Sequence, residues 1–335
     1  MQLPLAELCE LFRRSGPVVR VTVIAVEGST PREVGAVMTV SVQTVTGTVG
    51  GGALEYDAIA HARQLVETDA MWLRDTKNYP LGPRLGQCCG GQVRLLFERY
   101  RADEIDIVSS FADAKKGYFV RPVVSGSAPV HVVDVAGLSA APGFVRKQFQ
   151  TLTAHSDGRC KLASGAGQDE SWFLEPLSIK RLPIYLYGAG HVGREVVRVF
   201  EGLAVEIVWI DTDAERFPDP VPAHVKRLVI ASPNDAVGLA PEDAFHVVMS
   251  YSHALDLEIC HAVLKRGRFR YLGLIGSMTK RARFLKRLGD LGVSEAELSR
   301  LTCPLGAGGP RSKEPGVIAI SLAAEILQLS ETAPR

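Results

Sequence analysis

Apolar residues recur with helical and strand-like periods through residues 1–100. One face of a predicted helix is formed by Leu5, Leu8, Cys9 and Phe12, whose i, i+3, i+4, i+7 spacing makes Cys9 a core residue. Apolar runs bounded by turn residues predict strands at 18–26, 36–42, 46–49 and 92–97. A second helical face follows residue 52 and consists of Leu54, Ala58, Ala62 and Leu65. Together these elements indicate an N-terminal α+β domain over 1–100.

The pattern weakens between residues 101 and 180, which we interpret as a variable connecting region. A helix is expected near Phe111, and strands are expected at 118–124 and 130–135. The stretch 153–170 is rich in Ser, Gly, Asp and Lys, so we expect a loop or linker there.

Strand and helix signals alternate over the last part of the chain, 181–335. Strands are predicted at 184–187, 205–210, 225–230, 245–249 and 271–275, with helices starting at His191 and Ala254. Alternation of this kind is typical of a doubly wound parallel sheet. The expected fold class is therefore α/β, with a C-terminal Rossmann-like domain following the α+β domain.

The length of the chain indicates how many domains it forms, and its charge limits the kinds of partner it can bind. A chain of 335 residues is long enough for two cores. Its 38 Lys and Arg nearly balance 37 Asp and Glu, so no broad field attracts nucleic acid or anionic lipid. No apolar run reaches the roughly 18 residues that span a bilayer, and residues 1–14 lack a secretory pattern. We therefore expect a cytoplasmic protein that binds neither nucleic acid nor membranes.

The six cysteines are too sparse for a secreted disulfide scaffold. No CxxC or HxxxH pair occurs, which argues against a structural zinc site. Cys160 and Cys260 are expected to be structural. Cys303 stays ambiguous, since it lies near the expected ligand end of the Rossmann half.

A GxGxxG fingerprint follows the strand at 184–187. Gly188 permits a tight turn, Gly190 allows the backbone to approach a pyrophosphate, and Gly193 lets helix and strand pack closely. Asp211 ends the next strand, where an acid would bind a ribose hydroxyl. The fingerprint predicts a Rossmann fold. Whether NAD(P) binds is left open, because the same turn also serves packing or another phosphate-bearing ligand.

Two features of the first half are candidates for ligand chemistry. Gly50, Gly51 and Gly52 precede a helix and could form a nest of amides for an oxyanion, or simply turn the chain. Gln87, Cys88 and Cys89 lie in a loop rich in Gly and Pro, where periodic packing does not explain two adjacent thiols. Ligation of a soft metal or sulfur relay is one interpretation, and two inert buried residues are the other.

Polar residues after the later strands are further candidates. His253 follows the strand at 245–249, at the edge where parallel sheets bind ligands, although it could equally cap the next helix. Lys280, Arg281 and Arg283 could face a phosphate, but a solvated helix face is the favoured interpretation.

Taken together, these residues resemble the XdhC/CoxI family of molybdenum-cofactor chaperones. The similarity lies in three blocks of sequence. The first is 28–55, with its glycines and Glu55, and the second is 86–91, with its two thiols. The third block, within 188–306, consists of the Rossmann motif and the segments 252–256, 273–284 and 303–306. One departure concerns Tyr251, which stands where relatives often carry a second histidine, so no two-histidine role is assigned.

The resemblance implies a protein that binds the molybdenum cofactor (molybdopterin), protects it, assists its sulfuration with a cysteine desulfurase and inserts it into apo xanthine dehydrogenase. A homodimer is compatible with this role, and no catalytic residue is assigned. Cys88 and Cys89 become candidate metal ligands. The expected cofactor-binding residues are Gly50, Gly51, Gly52, Gln87, Cys88, Cys89, Gly188, Gly190, Gly193, Asp211 and His253.

Two other functions compete with this interpretation. The Rossmann fingerprint would also suit an NAD(P)-dependent oxidoreductase, but the sequence has no YxxxK and no evident hydride-transfer cluster. A redox-sensing regulator that uses the adjacent thiols is a lesser alternative. Nicotinamide-dependent turnover would favour the first, and thiol-dependent partner binding would favour the second.

Overall fold

The computed structural model describes residues 5–82, 90–109, 118–124, 126–127, 131–133, 160–164, 171–177, 181–222, 224–310 and 312–331. The chain divides into two compact units, Met1–Lys180 and Arg181–Arg335, which we call the N-terminal unit and the C-terminal unit. Among the described helices, none combines the length and apolar character needed to cross a bilayer.

The described strands of the N-terminal unit form two antiparallel sheets. The first sheet has the order β3-β2-β1-β5-β4-β7 and the second has the order β8-β6-β10-β9. The strands are β1 (Val18–Glu27), β2 (Val37–Val40), β3 (Val45–Gly47), β4 (Leu73–Pro80), β5 (Gln92–Tyr100), β6 (Tyr118–Pro122), β7 (Gly126–Ser127), β8 (His131–Val133), β9 (Lys161–Ser164) and β10 (Ser171–Pro176). The central pair β1 and β5 places Val21 opposite Phe97.

The described helices of the N-terminal unit are α1 (Leu5–Ser15), α2 (Gly52–Val66) and α3 (Ala102–Ser109). The buried face of α2 packs on the valines of β1 and β2 through Leu54, Ala58, Ala62 and Val66. A separate cluster joins α1 to α3, with Leu8 and Cys9 against Ile105 and Val108. Cys9 is only 1% exposed, which confirms the predicted core position.

A buried network of charged side chains joins the two sheets of the N-terminal unit. Glu175 on β10 contacts Arg20 on β1 at 2.5 Å and Arg121 on β6 at 2.8 Å. Glu98 on β5 contacts Arg121 at 3.0 Å and Arg74 on β4 at 3.3 Å. Arg20 also lies 3.8 Å from Glu98. Glu175 is therefore shared by two guanidinium groups and Glu98 by three, which offsets part of the cost of burying the charges.

The C-terminal unit is built on a six-stranded parallel sheet, the third sheet, with the order β13-β12-β11-β14-β15-β16. Its strands are β11 (Leu182–Tyr187), β12 (Val205–Asp211), β13 (Val225–Val229), β14 (Phe245–Val248), β15 (Tyr271–Leu274) and β16 (Leu301–Thr302). The helices are α4 (His191–Val199), α5 (His253–Arg266), α6 (Met278–Asp290), α7 (Glu295–Leu298) and α8 (Pro315–Glu331).

Helices cover both faces of the third sheet. On one face α5 and α6 bury Cys260, Leu264 and Phe284. On the other face α4 and α8 bury Val196 and Leu322. Because both faces are covered, the central strands read as nearly continuous apolar runs in the sequence.

The structure confirms the α/β fold class and the parallel C-terminal sheet. The predicted loop at 153–170 is wrong in part, because Lys161–Ser164 forms β9. Strands β4 and β10 were not predicted. The helix expected near Phe111 is α3, which ends at Ser109, while Phe111 itself lies outside the described residues.

Candidate functional site

Two glycine motifs of the N-terminal unit are in close contact. Gly28 has a φ of +65° and lies against Gly91. A Cβ atom on Gly91 would lie 2.4 Å from the carbonyl oxygens of Glu27 and Ser29. A side chain at position 91 would therefore force the strand ends apart. The turn at 28–32 and the residue that follows the thiol segment must both stay compact.

The third glycine motif contacts the same turn. A Cβ atom on Gly50, whose φ is +136°, would lie 2.4 Å from Cγ of Pro31. Arg32 donates from Nη1 to the carbonyl oxygen of Thr48 at 3.2 Å. The turn at 28–32, the loop at 48–52 and Gly91 are thus brought together within the N-terminal unit. We call this arrangement the glycine junction.

Glu55 stabilises the glycine junction from within. Its Oε2 accepts hydrogen bonds from Thr48 Oγ1 at 2.5 Å, Val49 N at 3.1 Å and Gly51 N at 3.2 Å. The amide of Gly50 donates to Thr48 Oγ1 at 3.1 Å. The amides of Gly50 and Gly51 are therefore engaged inside the chain, and an external oxyanion would have to bind the amides that begin α2. The cap residue Gly51 has no side chain to accept from these amides, and there is open space around it.

The predicted thiol segment lies in the sequence between Leu81 and Gly91. Leu81 donates its amide to the carbonyl oxygen of Gly91 at 2.8 Å, a backbone contact between described residues on either side of that segment. Gln87, Cys88 and Cys89 lie outside the described residues, so their assignment stays a prediction. Within the described part of the chain, no group of three or more His, Cys, Asp or Glu side chains could hold a metal ion.

The Rossmann loop of the C-terminal unit depends on its first and third glycines. Gly188 has a φ of +119°, and a Cβ atom there would lie 2.3 Å from the carbonyl oxygen of Met249. A Cβ atom on Gly193 would lie 2.2 Å from the carbonyl oxygen of Gly188, which also accepts a hydrogen bond from Trp209 Nε1 at 2.9 Å. Gly190 caps α4 with open space around it. These positions match what each glycine does in a dinucleotide turn.

Asp211 points into the protein rather than into solvent. Its side chain is 4% exposed, and Oδ2 accepts the amide hydrogen of Ala189 at 2.7 Å. Oδ1 accepts from the Thr212 amide at 2.7 Å and forms an ion pair with Arg216 Nε at 3.4 Å. The predicted role in ribose binding stays untested, but the carboxylate supports the Rossmann loop directly.

Arg216 and Tyr251 form a pair at the same edge of the sheet. The guanidinium carbon of Arg216 lies 3.9 Å from the centre of the Tyr251 ring, a distance typical of a cation–π contact. Tyr251 remains 61% exposed. Neither residue was predicted to act together with Asp211.

Asp256 ties the loop after β14 to two helices. Its buried carboxylate accepts from the Ser250 amide at 2.9 Å and from the Ser250 hydroxyl at 2.7 Å. Lys280 Nζ lies 2.6 Å from the other carboxylate oxygen and 2.9 Å from the Ile275 carbonyl oxygen. The favoured interpretation of Lys280 as part of a solvated helix face is therefore wrong, because its ammonium is held in an internal ion pair.

The remaining candidates lie nearby with less evidence for chemistry. His253 is exposed as the first residue of α5, and Ser252 rather than His253 caps that helix. Burial raises the pKa of the Cys303 thiol, although Lys280 and Arg281 act in the opposite direction. Burial also raises the pKa of Cys260. Both thiols therefore stay protonated at neutral pH and are poor nucleophiles.

Comparison with protein families agrees with this geometry. A family model described as the XdhC Rossmann domain matches residues 184–326, and that of the XdhC and CoxI family matches residues 11–75. The chain belongs to the XdhC and CoxI family. Both the Rossmann loop and the glycine junction residues 28–55 lie within the matched regions of this XdhC/CoxI chain.

Two known proteins are similar to this chain. The uncharacterized protein YqeB of Escherichia coli strain K12 is 31% identical over 152 residues, which cover 45% of this XdhC/CoxI chain and 28% of YqeB. The match thus spans little more than a quarter of that curated relative. A Bacillus halodurans protein, described as a xanthine dehydrogenase in its crystal structure, has a TM-score of 0.76 and 22% identity over 99% of this chain and 97% of that chain. At this identity the likeness shows the fold.

Three interactions at the candidate sites of this XdhC/CoxI chain were not predicted from the sequence. The hydrogen bonds of Glu55 could have been predicted, because an acid in the first turn of a helix lies close to the amides at the start of that helix. The contact between Arg216 and Tyr251 and the pair of Asp256 with Lys280 could not have been. Both depend on strand order, which the local pattern does not contain.

Proposed function

We propose that the chain acts in the maturation of xanthine dehydrogenase as a carrier of the molybdenum cofactor. In this role it binds the cofactor as cargo, protects it from oxidation, assists its sulfuration with a cysteine desulfurase and inserts it into apo xanthine dehydrogenase. Membership of the XdhC and CoxI family supports the role. The full-length fold similarity to a protein described as a xanthine dehydrogenase is consistent with it.

The observation that carries the proposal is the glycine junction. Gly28, Gly50 and Gly91 come from three separate parts of the sequence, and each is packed where a Cβ atom would meet another atom at about 3 Å or less. Such a junction presents backbone rather than side chains. Backbone amides are suited to a phosphate, which is one end of the pterin cargo.

Two features of the N-terminal unit would suit the two ends of such a cargo. The phosphate would meet the amides at the start of α2, where Gly51 leaves space. The metal end needs soft ligands, and the sequence between Leu81 and Gly91 carries Cys88 and Cys89. A carrier needs no turnover of its own, so its binding free energy serves to hold the cargo until a partner takes it.

Anaerobic titration of the full chain with molybdenum cofactor, followed by transfer to apo xanthine dehydrogenase, tests the proposal. Tight stoichiometric binding and transfer support it. The variant Cys88→Ser with Cys89→Ser should release cargo at least tenfold faster, which is roughly 1.4 kcal/mol of lost binding. Cys160→Ser removes a thiol elsewhere in the same unit and should behave as the parent does. Unchanged retention in the double variant would remove the thiols from the proposal, and no binding by the parent would end it.

The second candidate function is an NAD(P)-dependent oxidoreductase, which the geometry of the Rossmann loop favours. It predicts consumption of NAD(P)H with a small-molecule acceptor. Carrier activity without such turnover would exclude it, whereas turnover without cargo binding would replace the carrier proposal.

A further inference from the structure

The strand order of the third sheet places a crevice beside the Rossmann loop. β11 lies between β12 and β14, which is the point where the strand order changes direction and where open parallel sheets bind ligands. Arg216 follows β12 and Tyr251 follows β14. Because their side chains meet at 3.9 Å, the pair spans the carboxyl end of β11, directly outside the Rossmann loop.

Asp211 is poorly placed to accept a ribose hydroxyl in this crevice. An acid with that role presents a carboxylate oxygen to the ligand. Here the side chain is 4% exposed and its oxygens already accept hydrogen bonds from Ala189 and Thr212. The guanidinium of Arg216 lies against Oδ1 of this carboxylate.

Arg216 is placed to bind an anion at that position. Its side chain is 39% exposed, while its Nε is buried and lies 3.4 Å from Asp211 Oδ1. The ion pair with Asp211 and the ring of Tyr251 fix where the guanidinium lies. A planar guanidinium held this way matches the paired oxygens of a phosphate.

We propose that the C-terminal unit binds a dinucleotide whose adenosine ribose carries a 2′-phosphate, NADP(H) in preference to NAD(H), and that Arg216 binds this phosphate. The pyrophosphate lies at the start of α4, where Gly190 leaves space. Tyr251 holds the guanidinium over the crevice, and its exposed ring is available to the ligand. This ligand differs from the cargo of the N-terminal unit, so either proposal can fail without the other.

Two adenosine bisphosphates that have the same charge but differ in the position of one phosphate test this proposal. We expect the full chain to bind adenosine 2′,5′-bisphosphate on the order of tenfold more tightly than adenosine 5′-monophosphate, because a charged hydrogen bond is added. Adenosine 3′,5′-bisphosphate has the same charge as the 2′,5′ isomer and should not share this gain. NADP⁺ should be preferred over NAD⁺ by a similar factor. Equal affinity for the two isomers, or no binding of any probe, would overturn the proposal.

Variants at position 216 assign the effect to the side chain. Arg216→Ala should lose the preference for the 2′-phosphate while retaining the affinity for adenosine 5′-monophosphate, and Arg216→Lys should restore part of the preference. Arg268→Ala is the matched control. Arg268 belongs to the same unit and pairs with Glu242, which precedes β14 and so lies at the opposite edge of the sheet. A preference that survives in Arg216→Ala, or an equal loss for all probes, would contradict the assignment.

Discussion

Lys280 and Asp256 form an internal ion pair, 2.6 Å from Nζ to Oδ2, at the carboxyl edge of the parallel sheet. The side chain of Asp256 is 1% exposed and that of Lys280 is 13% exposed. The same carboxylate binds the amide and hydroxyl of Ser250. One aspartate therefore holds the loop that carries Tyr251 and His253 against both α5 and α6.

Asp256→Ala should destabilise the C-terminal unit by about 3 kcal/mol, because removing one partner leaves the other charge and the Ser250 amide unpaired. Hydrogen exchange of the full chain should show the loss of protection in peptides covering β14 and the start of α5. Lys286→Ala changes an exposed lysine of α6 and should alter stability by less than about 0.5 kcal/mol. Parent-like protection in Asp256→Ala would show that the pair contributes little to this loop.

The three glycines of the Rossmann loop should differ sharply in tolerance to alanine. Gly193→Ala places a Cβ atom 2.2 Å from the carbonyl oxygen of Gly188, and we expect a loss of about 3 kcal/mol or more, because backbone must move. Gly190→Ala meets no atom within 4 Å at a φ of −76°, and should stay within about 1 kcal/mol of the parent. Urea unfolding of both variants measures the difference. Equal midpoints for the two would show that the loop relaxes around the added methyl group.

The parallel sheet was predictable from the sequence, because each central strand is an apolar run that is buried on both faces. The stretch Leu182–Tyr187 and the helix after it show this clearly. By contrast β4 is the sequence LRDTKNYP, where buried Arg74 and Tyr79 are surrounded by polar residues. Arg74 is buried because it pairs with a carboxylate that is distant in the sequence, and such a residue gives no strand signal. For this reason β4 was not predicted.

The same distinction applies to the candidate sites. The roles of Gly188 and Gly193 depend on close backbone contacts at the turn that the GxGxxG motif forms. The motif alone therefore predicts them. Asp211 was correctly placed at the end of β12, but its burial depends on the Ala189 amide and on Arg216. The pair of Lys280 and Asp256 joins residues 24 positions apart. Contacts of this kind require the strand order, which the sequence pattern does not contain.

The charge network between the two sheets of the N-terminal unit should be sensitive to loss of one carboxylate. Burial acts to raise the pKa of Glu175, but the charges and hydrogen bonds of Arg20 and Arg121 outweigh it and lower that pKa to about 2. Since the folded pKa lies below the ordinary 4.5, the stabilisation is present above pH 4.5 and is lost as the pH falls towards 2. Glu175→Gln should therefore mimic acid conditions at neutral pH.

For Glu175→Gln we expect a loss of about 3 kcal/mol at pH 7, because two buried guanidinium groups lose a shared anion. Hydrogen exchange in β1, β6 and β10 should increase together. Glu10→Gln removes a carboxylate from an exposed pair with Arg14 on α1, and should cost less than about 1 kcal/mol. If β10 alone lost protection, the network would not couple the two sheets.

His246 should make the C-terminal unit less stable in mild acid. The imidazole lies on β14 with its Nδ1 3.0 Å from the hydroxyl of Tyr187, and burial, with a contribution from Arg266, lowers its pKa from 6.5 to about 3. Between these values the unfolded chain binds a proton that the folded chain does not. Stability is therefore greatest above pH 6.5 and falls as the pH drops to 3, by about 1.4 kcal/mol per pH unit.

Comparison with His246→Gln isolates this contribution from that of the other histidines. Urea unfolding of both proteins at pH 7.5 and pH 5.0 gives the difference in pH dependence, and the parent should lose roughly 2 kcal/mol more than the variant over this interval. Replacing His224, which is half-buried with its Nε2 3.4 Å from the Val197 carbonyl oxygen, by Gln should leave the parent's pH dependence in place. If His246→Gln retained the full acid sensitivity, His246 would already be protonated in the folded state, and its burial beside Tyr187 would not govern the response to pH.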